Sequence, residues 1–264
     1  MMGLRKKTYL CNPDGFRQAT KAMAKKGPDS FIPWFSGGKS ADEAFARGQH
    51  TWNEIFAPVA MKHVASRYDK IALDIGYGGG IHVMAAADMF GMVYGVDVHE
   101  QQQLVTRELD RRGCQNVLLK TANGSTIPFK DGTVDFAYSW TVFMHVGLVG
   151  VVTRYLRELQ RVMTEGAIGM LFCSRLIRSQ GSHEQTMAGY QRDVKKEMQH
   201  HCGFKEGAAG GVANRTINLQ MAAWYFGDLV AQAGFRVIDV VPSGHVDDGG
   251  VFRAGGQHGV VFMK

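Results

Sequence analysis

Leu73-Asp74-Ile75-Gly76-Tyr77-Gly78-Gly79-Gly80 stands where an apolar run passes into a helical pattern. Lys70 to Ile75 reads as a buried strand, and Gly80 to Met89 as the helix that follows it. Glycine serves such a turn in two ways. It adopts backbone angles that a Cβ forbids, and it lets a ligand approach the main chain at a helix N-terminus.

The next apolar run, Met92 to Val98, ends in Gly95-Val96-Asp97-Val98, about 20 residues after the glycine turn. A carboxylate at that strand tip can accept hydrogen bonds from both hydroxyls of an adenosine ribose. The spacing Asp74, Gly76, Gly78, Gly80 is regular. A dinucleotide fingerprint begun at Gly76 and Gly78 would require glycine at the position that Ile81 occupies.

Outward from this unit, strand and helix patterns alternate. A helix is expected over Glu100 to Arg112, strands over Val117 to Thr121 and Val134 to Ser139 with a turn at Pro128 between them, a helix over Val151 to Met163, and a fifth strand over Ala167 to Cys173. A last helix (Leu219 to Ala233) and two further strands (Phe235 to Val241, Gly259 to Met263) complete the pattern. The expected fold class is α/β, an open doubly wound sheet with its ligand crevice at the carboxyl ends of the first strands. Residues 1–66 read as a mainly helical lid segment before a domain over 67–264, and the polar, glycine-rich stretch at about 176–218 as a cap inserted in that domain.

Composition narrows the class. Hydrophobic residues make up 45% and charged residues 20%, and no run reaches the length of a membrane span, so membrane insertion is not expected. The four cysteines show no paired spacing, and Cys11, Asn12, Pro13 and Asp14 stand where a secretory leader would need an apolar run; a cytoplasmic protein with free thiols is expected. A net charge of +6 and a pI near 9.1 favour anionic partners, but the basic residues are scattered, as on a solvated surface.

On the glycine loop and the Asp97 tip the sequence resembles the class I S-adenosylmethionine-dependent methyltransferases, in particular the small-molecule group called methyltransferase type 11. Asn123-Gly124-Ser125-Thr126-Ile127-Pro128-Phe129 and Arg161-Val162-Met163-Thr164-Glu165-Gly166 are similar to two further stretches of that family. The resemblance covers about residues 70–175. It implies a Rossmann-like three-layer sandwich with a mostly parallel seven-stranded sheet whose last strand is antiparallel, and S-adenosyl-L-methionine as cofactor. It also implies that Asp74 and the Gly76–Gly80 loop hold the methionine end, that Asp97 binds the ribose and that Val98 packs near the adenine. The expected cofactor-binding set is Asp74, Gly76, Tyr77, Gly78, Gly80, Asp97, Val98, Asn123, Gly124 and Ser139. Asn123 replaces the usual aspartate, and its amide oxygen can still accept a bond from the adenine amino group. His145, after the fourth strand, is placed by the resemblance near the transferred methyl. It is the candidate catalytic base, against the plainer reading that it starts the next helix and packs.

The expected activity is methyl transfer to an oxygen or nitrogen of a small-molecule acceptor. That acceptor would enter between the N-terminal segment and the insert, with Arg175, Arg178, Arg192 or Arg215 meeting an anionic group. A nucleic-acid methyltransferase is the alternative enzyme, but Ser139-Trp140-Thr141-Val142 lacks the N-P-P-Y type of stretch. A non-catalytic binding protein is the other alternative, and the intact loop argues against it. A homo-oligomer is compatible with the sequence.

Three stretches read as distractors. Ser36-Gly37-Gly38-Lys39-Ser40 ends like a phosphate loop but has Pro33 where that motif needs its first glycine. His200-His201-Cys202 has no second ligand pair at zinc spacing, so no metal site is expected. Trp34, Phe35 and Trp52 either cover a sulfonium or pack in the core.

Overall fold

The computed structural model describes residues 13–178, 185–207, 217–246 and 252–264. Helices α1 (Pro13–Ala24), α2 (Pro28–Ser36), α3 (Ala41–Thr51) and α4 (Ala57–His63) come first, with a π-helical turn, Trp52–Phe56, joining α3 to α4. The sheet then begins: β1 (Ile71–Ile75), α5 (Ile81–Ala87), β2 (Met92–Asp97), α6 (Gln102–Arg111), β3 (Val117–Thr121), β4 (Val134–Ser139), α7 (Val149–Val162) and β5 (Met163–Arg175). After it come α8 (Met187–Glu197), β6 (Phe204–Glu206), β7 (Leu219–Met221), α9 (Ala223–Gln232), β8 (Arg236–Val246) and β9 (Phe252–Met263).

Strands β3, β2, β1, β4 and β5 lie side by side in parallel, and β9 runs antiparallel between β5 and β8. These seven strands are the sheet expected from the sequence. Two more strands arise, β6 within the insert and β7 just after it: they form an antiparallel pair, and β7 joins β5 in parallel at Ser174–Gln220 and Arg175–Met221. The last helix therefore starts at Ala223 rather than Leu219. Leu219 and Met221 are fully buried with Gln220 between them, an alternation too short to separate from a helix start by pattern alone.

Strands β1, β4 and β5 are covered on both faces, which explains their largely apolar runs. Ala72, Phe136, Tyr138 and Phe172 point to one face and meet Phe31, Phe45, Trp52 and Phe56 of the N-terminal helices. Leu73, Ile75, Ala137 and Leu171 point to the other and meet Val152, Leu156, Leu159 and Phe226 of α7 and α9. Trp52 is a core residue, packed on Phe56 and Tyr138 at ring separations of 5.5 and 5.0 Å. The stretch that ends like a phosphate loop joins two helices. Gly37 closes α2 in the left-handed conformation, and Ser40 caps α3, its hydroxyl accepting from Glu43 N–H while the Glu43 carboxylate accepts from Lys39 N–H.

Gly48 lets α3 run against the start of α5. A Cβ there would stand 2.6 Å from both the Cβ and the carbonyl oxygen of Ile81. Alanine ordinarily gains about 1 kcal/mol over glycine inside a helix. Here overpacking against backbone, typically about 1–3 kcal/mol, opposes that gain. Gly48→Ala is expected to lower the urea midpoint, and a raised midpoint would show that α3 and α5 do not meet this closely.

Candidate active site

The carboxyl ends of β1, β2 and β4 open onto a cavity of about 1030 Å³. On the sheet side its lining includes Gly76, Tyr77, Gly78, Gly79, Asp97, Val98, Asn123 and Gly124. Opposite stand Phe16, Phe35, Arg47 and His50 from the N-terminal helices, Trp140, Thr141, Val142, Met144 and His145 after β4, Tyr155 of α7, and Ile217 and Asn218 at the return of the insert.

The loop after β1 is left-handed at Gly76, Gly78 and Gly80, with φ of 81°, 51° and 79°. Side chains are excluded there by space as well: a Cβ at Gly76 would lie 2.2 Å from Val142, and one at Gly78 would lie 2.7 Å from Phe35. Asp97 ends β2 and is buried to 7% exposure. Its Oδ2 accepts from Gly78 N–H at 2.9 Å and its Oδ1 from His99 N–H at 3.2 Å. Two of the roughly four acceptor positions of a carboxylate are thus filled, and two are left for a ligand.

Of the residues expected from the sequence, Gly76, Tyr77, Gly78, Asp97, Val98, Asn123, Gly124 and His145 share the cavity. Asp74, Gly80 and Ser139 stand behind it. Ser139 donates to the Ile75 carbonyl at 2.9 Å and clasps β4 to β1, and Gly80 caps α5. Asp74 is buried with its Oδ2 unpartnered among the described residues. Burial pushes its carboxyl well above the usual range, with the Asp97 charge in support and the Tyr138 hydroxyl opposing.

Asn123 carries a correction. Its Oδ1 accepts from the amides and hydroxyls of Ser125 and Thr126 at 2.9–3.0 Å, so the atom expected to receive the adenine amino group is spent on its own turn. The side-chain group left over is the Nδ2 donor. The arginines of the insert are a second correction. Arg175 is buried on Asp193, neither Arg178 nor Arg192 lines the cavity, and Arg215 lies outside the described residues. Arg47 of α3 lines it instead, paired with Glu43 at 2.7 Å.

His145 precedes α7 in a turn, its N–H bonded to the Val142 carbonyl at 2.9 Å, rather than starting the helix. Asn218 holds this turn from the insert. Its backbone N–H donates to the Met144 carbonyl at 2.8 Å and its Nδ2 to the His145 carbonyl at 3.0 Å. Thr141 beside them has φ of 57°, an uncommon value without glycine. Sequence reasoning passed over His50, His82, Arg47 and Asn218, which carry no motif. The one local hint was that Arg47 and His50 fall three apart on a helix. His200 and His201 stack on each other at 5.7 Å, and among the described residues no three His, Cys, Asp or Glu side chains gather as metal ligands.

Residues 73–171, from β1 into β5, match the model of a family described as a methyltransferase domain. No curated protein matches the sequence. Among solved structures, an S-adenosylmethionine-dependent methyltransferase from Aquifex aeolicus is 19% identical, with 83% of this chain and 97% of that one covered at a TM-score of 0.52. One from Methanosarcina mazei is 18% identical, covering 78% and 97% at 0.54. A putative methyltransferase of Haloferax volcanii, solved with the Trm112 methyltransferase activator, is 16% identical, covering 89% and 97% at 0.55. These likenesses bear out the fold. The family match bears out the resemblance read from the sequence, and with it the methyltransferase class and its S-adenosylmethionine cofactor. No helix among the described residues is long and apolar enough to cross a membrane.

His82 lines the cavity from α5, and burial lowers its imidazole from an ordinary 6.5 to about 4. The unfolded chain takes up this proton first as pH falls. The stabilisation present above pH 6.5 is therefore lost on the way down to about pH 4, some 3 kcal/mol in all. Between pH 7 and 4.5, His82→Gln is expected to lose about 2–3 kcal/mol less unfolding free energy than the wild type in urea titrations. An equal loss in both proteins would mean that His82 is solvated in the native state.

Proposed function

We propose that the protein transfers the methyl group of S-adenosylmethionine to an oxygen or nitrogen atom of a small molecule. The observation that carries this reading is the cavity that has the glycine loop and Asp97 on one wall and a largely apolar wall with His145 on the other. Its volume stands at the upper end of ligand pockets, about 300–1000 Å³, room for cofactor and acceptor together.

The residues present fit the cofactor. Asp97 has two acceptor positions for the two ribose hydroxyls, Val98 offers an apolar surface to the adenine, and Asn123 Nδ2 can donate to a ring nitrogen. The backbone of Gly76 to Gly80 receives the methionine end. Bound there, S-adenosylmethionine supplies an electrophilic methyl on a sulfonium. The protein's part is to hold the acceptor atom in line with that methyl and to keep water out. Phe16, Phe35, Trp140 and Tyr155 wall the space. His145 takes the proton from the acceptor hydroxyl or ammonium, and Arg47 meets an anionic group where the acceptor carries one. The helices before the sheet and the return of the insert at Ile217 and Asn218 flank the acceptor's entry.

Calorimetry on Asp97→Ala is expected to show S-adenosylmethionine affinity reduced by about 1.5–3 kcal/mol, roughly 10- to 150-fold. Equal affinities, or a preference for NAD, would sink the cofactor assignment. With an acceptor found by S-adenosylhomocysteine release from metabolite pools, His145→Ala should lose at least about a hundredfold in turnover at nearly unchanged cofactor affinity. A small loss, or one that follows thermal stability, returns His145 to a packing role.

A further inference from the structure

We propose that His99 is a positioning residue: its imidazole locks the Gly78 backbone into the conformation that receives the cofactor. The inference rests on the S-adenosylmethionine reading above.

His99 is fully buried two residues beyond Asp97. Its Nδ1 accepts from Gln101 N–H at 3.1 Å, so the ring proton sits on Nε2. Nε2–H then donates to the Gly78 carbonyl at 2.9 Å. The Gly78 N–H is held by Asp97 Oδ2, and the His99 N–H returns to Asp97 Oδ1. Asp97, His99 and Gly78 thus form a closed circuit that fixes the Gly78 backbone on both sides of its Cα, through the nitrogen of the peptide before it and the oxygen of the peptide after it.

The ring itself cannot swing. Tyr77 meets it at 4.9 Å and 79°, Phe31 at 5.5 Å and 87°, and Phe35 at 5.8 Å. Phe31 and Phe35 belong to α2, and Thr121 at the end of β3 bonds the His99 carbonyl at 3.2 Å. Through its ring and its backbone, one residue therefore ties together the glycine loop, two strand tips and the helix that faces them.

A loop with three left-handed glycines needs such a clamp. Glycine loses more conformational freedom on ordering than any other residue, and a loop ordered only on binding subtracts that cost from affinity. With the Gly78 carbonyl turned inward by His99, the Asp97 carboxylate also keeps a fixed aim at the ribose.

Three variants of the full chain test this, with S-adenosylhomocysteine titrated calorimetrically and the ligand-free thermal midpoint recorded for each. His99→Phe keeps the aromatic packing and removes both ring nitrogens. His99→Asn keeps a group at the Nδ1 position alone. His99→Gln restores a donor at the Nε2 position. The expected result is a dissociation constant at least tenfold higher in His99→Asn and His99→Phe and within about threefold of wild type in His99→Gln, whatever the order of the midpoints. Unchanged affinity in His99→Asn, equal weakening in Asn and Gln, or affinities that simply follow the midpoints would overturn the assignment. Should His99→Phe fail to fold, the Asn and Gln pair decides alone. Wild-type protein that binds no S-adenosylhomocysteine would instead refute the cofactor reading.

Discussion

The hydrogen bond from Gly78 N–H to Asp97 Oδ2 joins two strand ends where their ladder has run out. Paired residues of β1 and β2 stop at Ile75 and Val96, and Gly76 adds one more bond, to the Val96 carbonyl at 2.7 Å. Beyond that point the loop must leave the sheet and still come back over α5. A charged acceptor at the neighbouring tip holds this peptide N–H, which has no strand partner, and a bond to a charged group is worth about twice a neutral one. The crevice, the left-handed loop and the place of α5 all depend on this link.

The N-terminal helices are tied to the same edge. Phe31, Ile32, Phe45 and Phe56 are buried against the sheet or the loop, so this part of the chain shares one core with the strands. Above it, Arg17 Nε donates to the Val98 carbonyl at 2.8 Å, and Phe16 reaches the cavity. The cover is thus attached through both apolar packing and a backbone carbonyl of the cavity wall.

Much of this was legible because it rests on periodicity and on residue types with few uses. Runs such as Ile71–Ile75 and the apolar stripe of Val152, Tyr155, Leu156, Leu159 and Val162 announce their elements directly. Glycines at alternate positions before a helix, with an aspartate closing the next strand, leave little else to propose. What escaped depends on partners far away in sequence. Strand β7 is a strand because β5 extends beside it, and a three-residue segment carries no period. Asn123 looked like a free acceptor until its turn placed four donors around the oxygen. Arg175 had the right charge, but Asp193 was waiting 18 residues on inside the core. His99 has no motif at all, since its meaning comes from the Gly78 carbonyl 21 residues earlier.

The electrostatics of the cavity follow from the charge of what it would hold. A sulfonium cofactor is a cation, and cationic side chains beside it would oppose its binding. His82, in the same cavity, is kept neutral by burial, and Arg47 is offset by Glu43 on the next turn of α3. Asp97 adds the one buried carboxylate on the lining itself, while Asp74 lies behind it with its carboxyl pushed toward the neutral form. Negative charge is thus placed at the cofactor wall and positive charge is muted around it. Such an arrangement favours a cationic methyl donor and asks little chemistry of the protein, because the reactive carbon arrives already activated. The chain's remaining task is geometric: to hold a nucleophilic atom in line with that carbon.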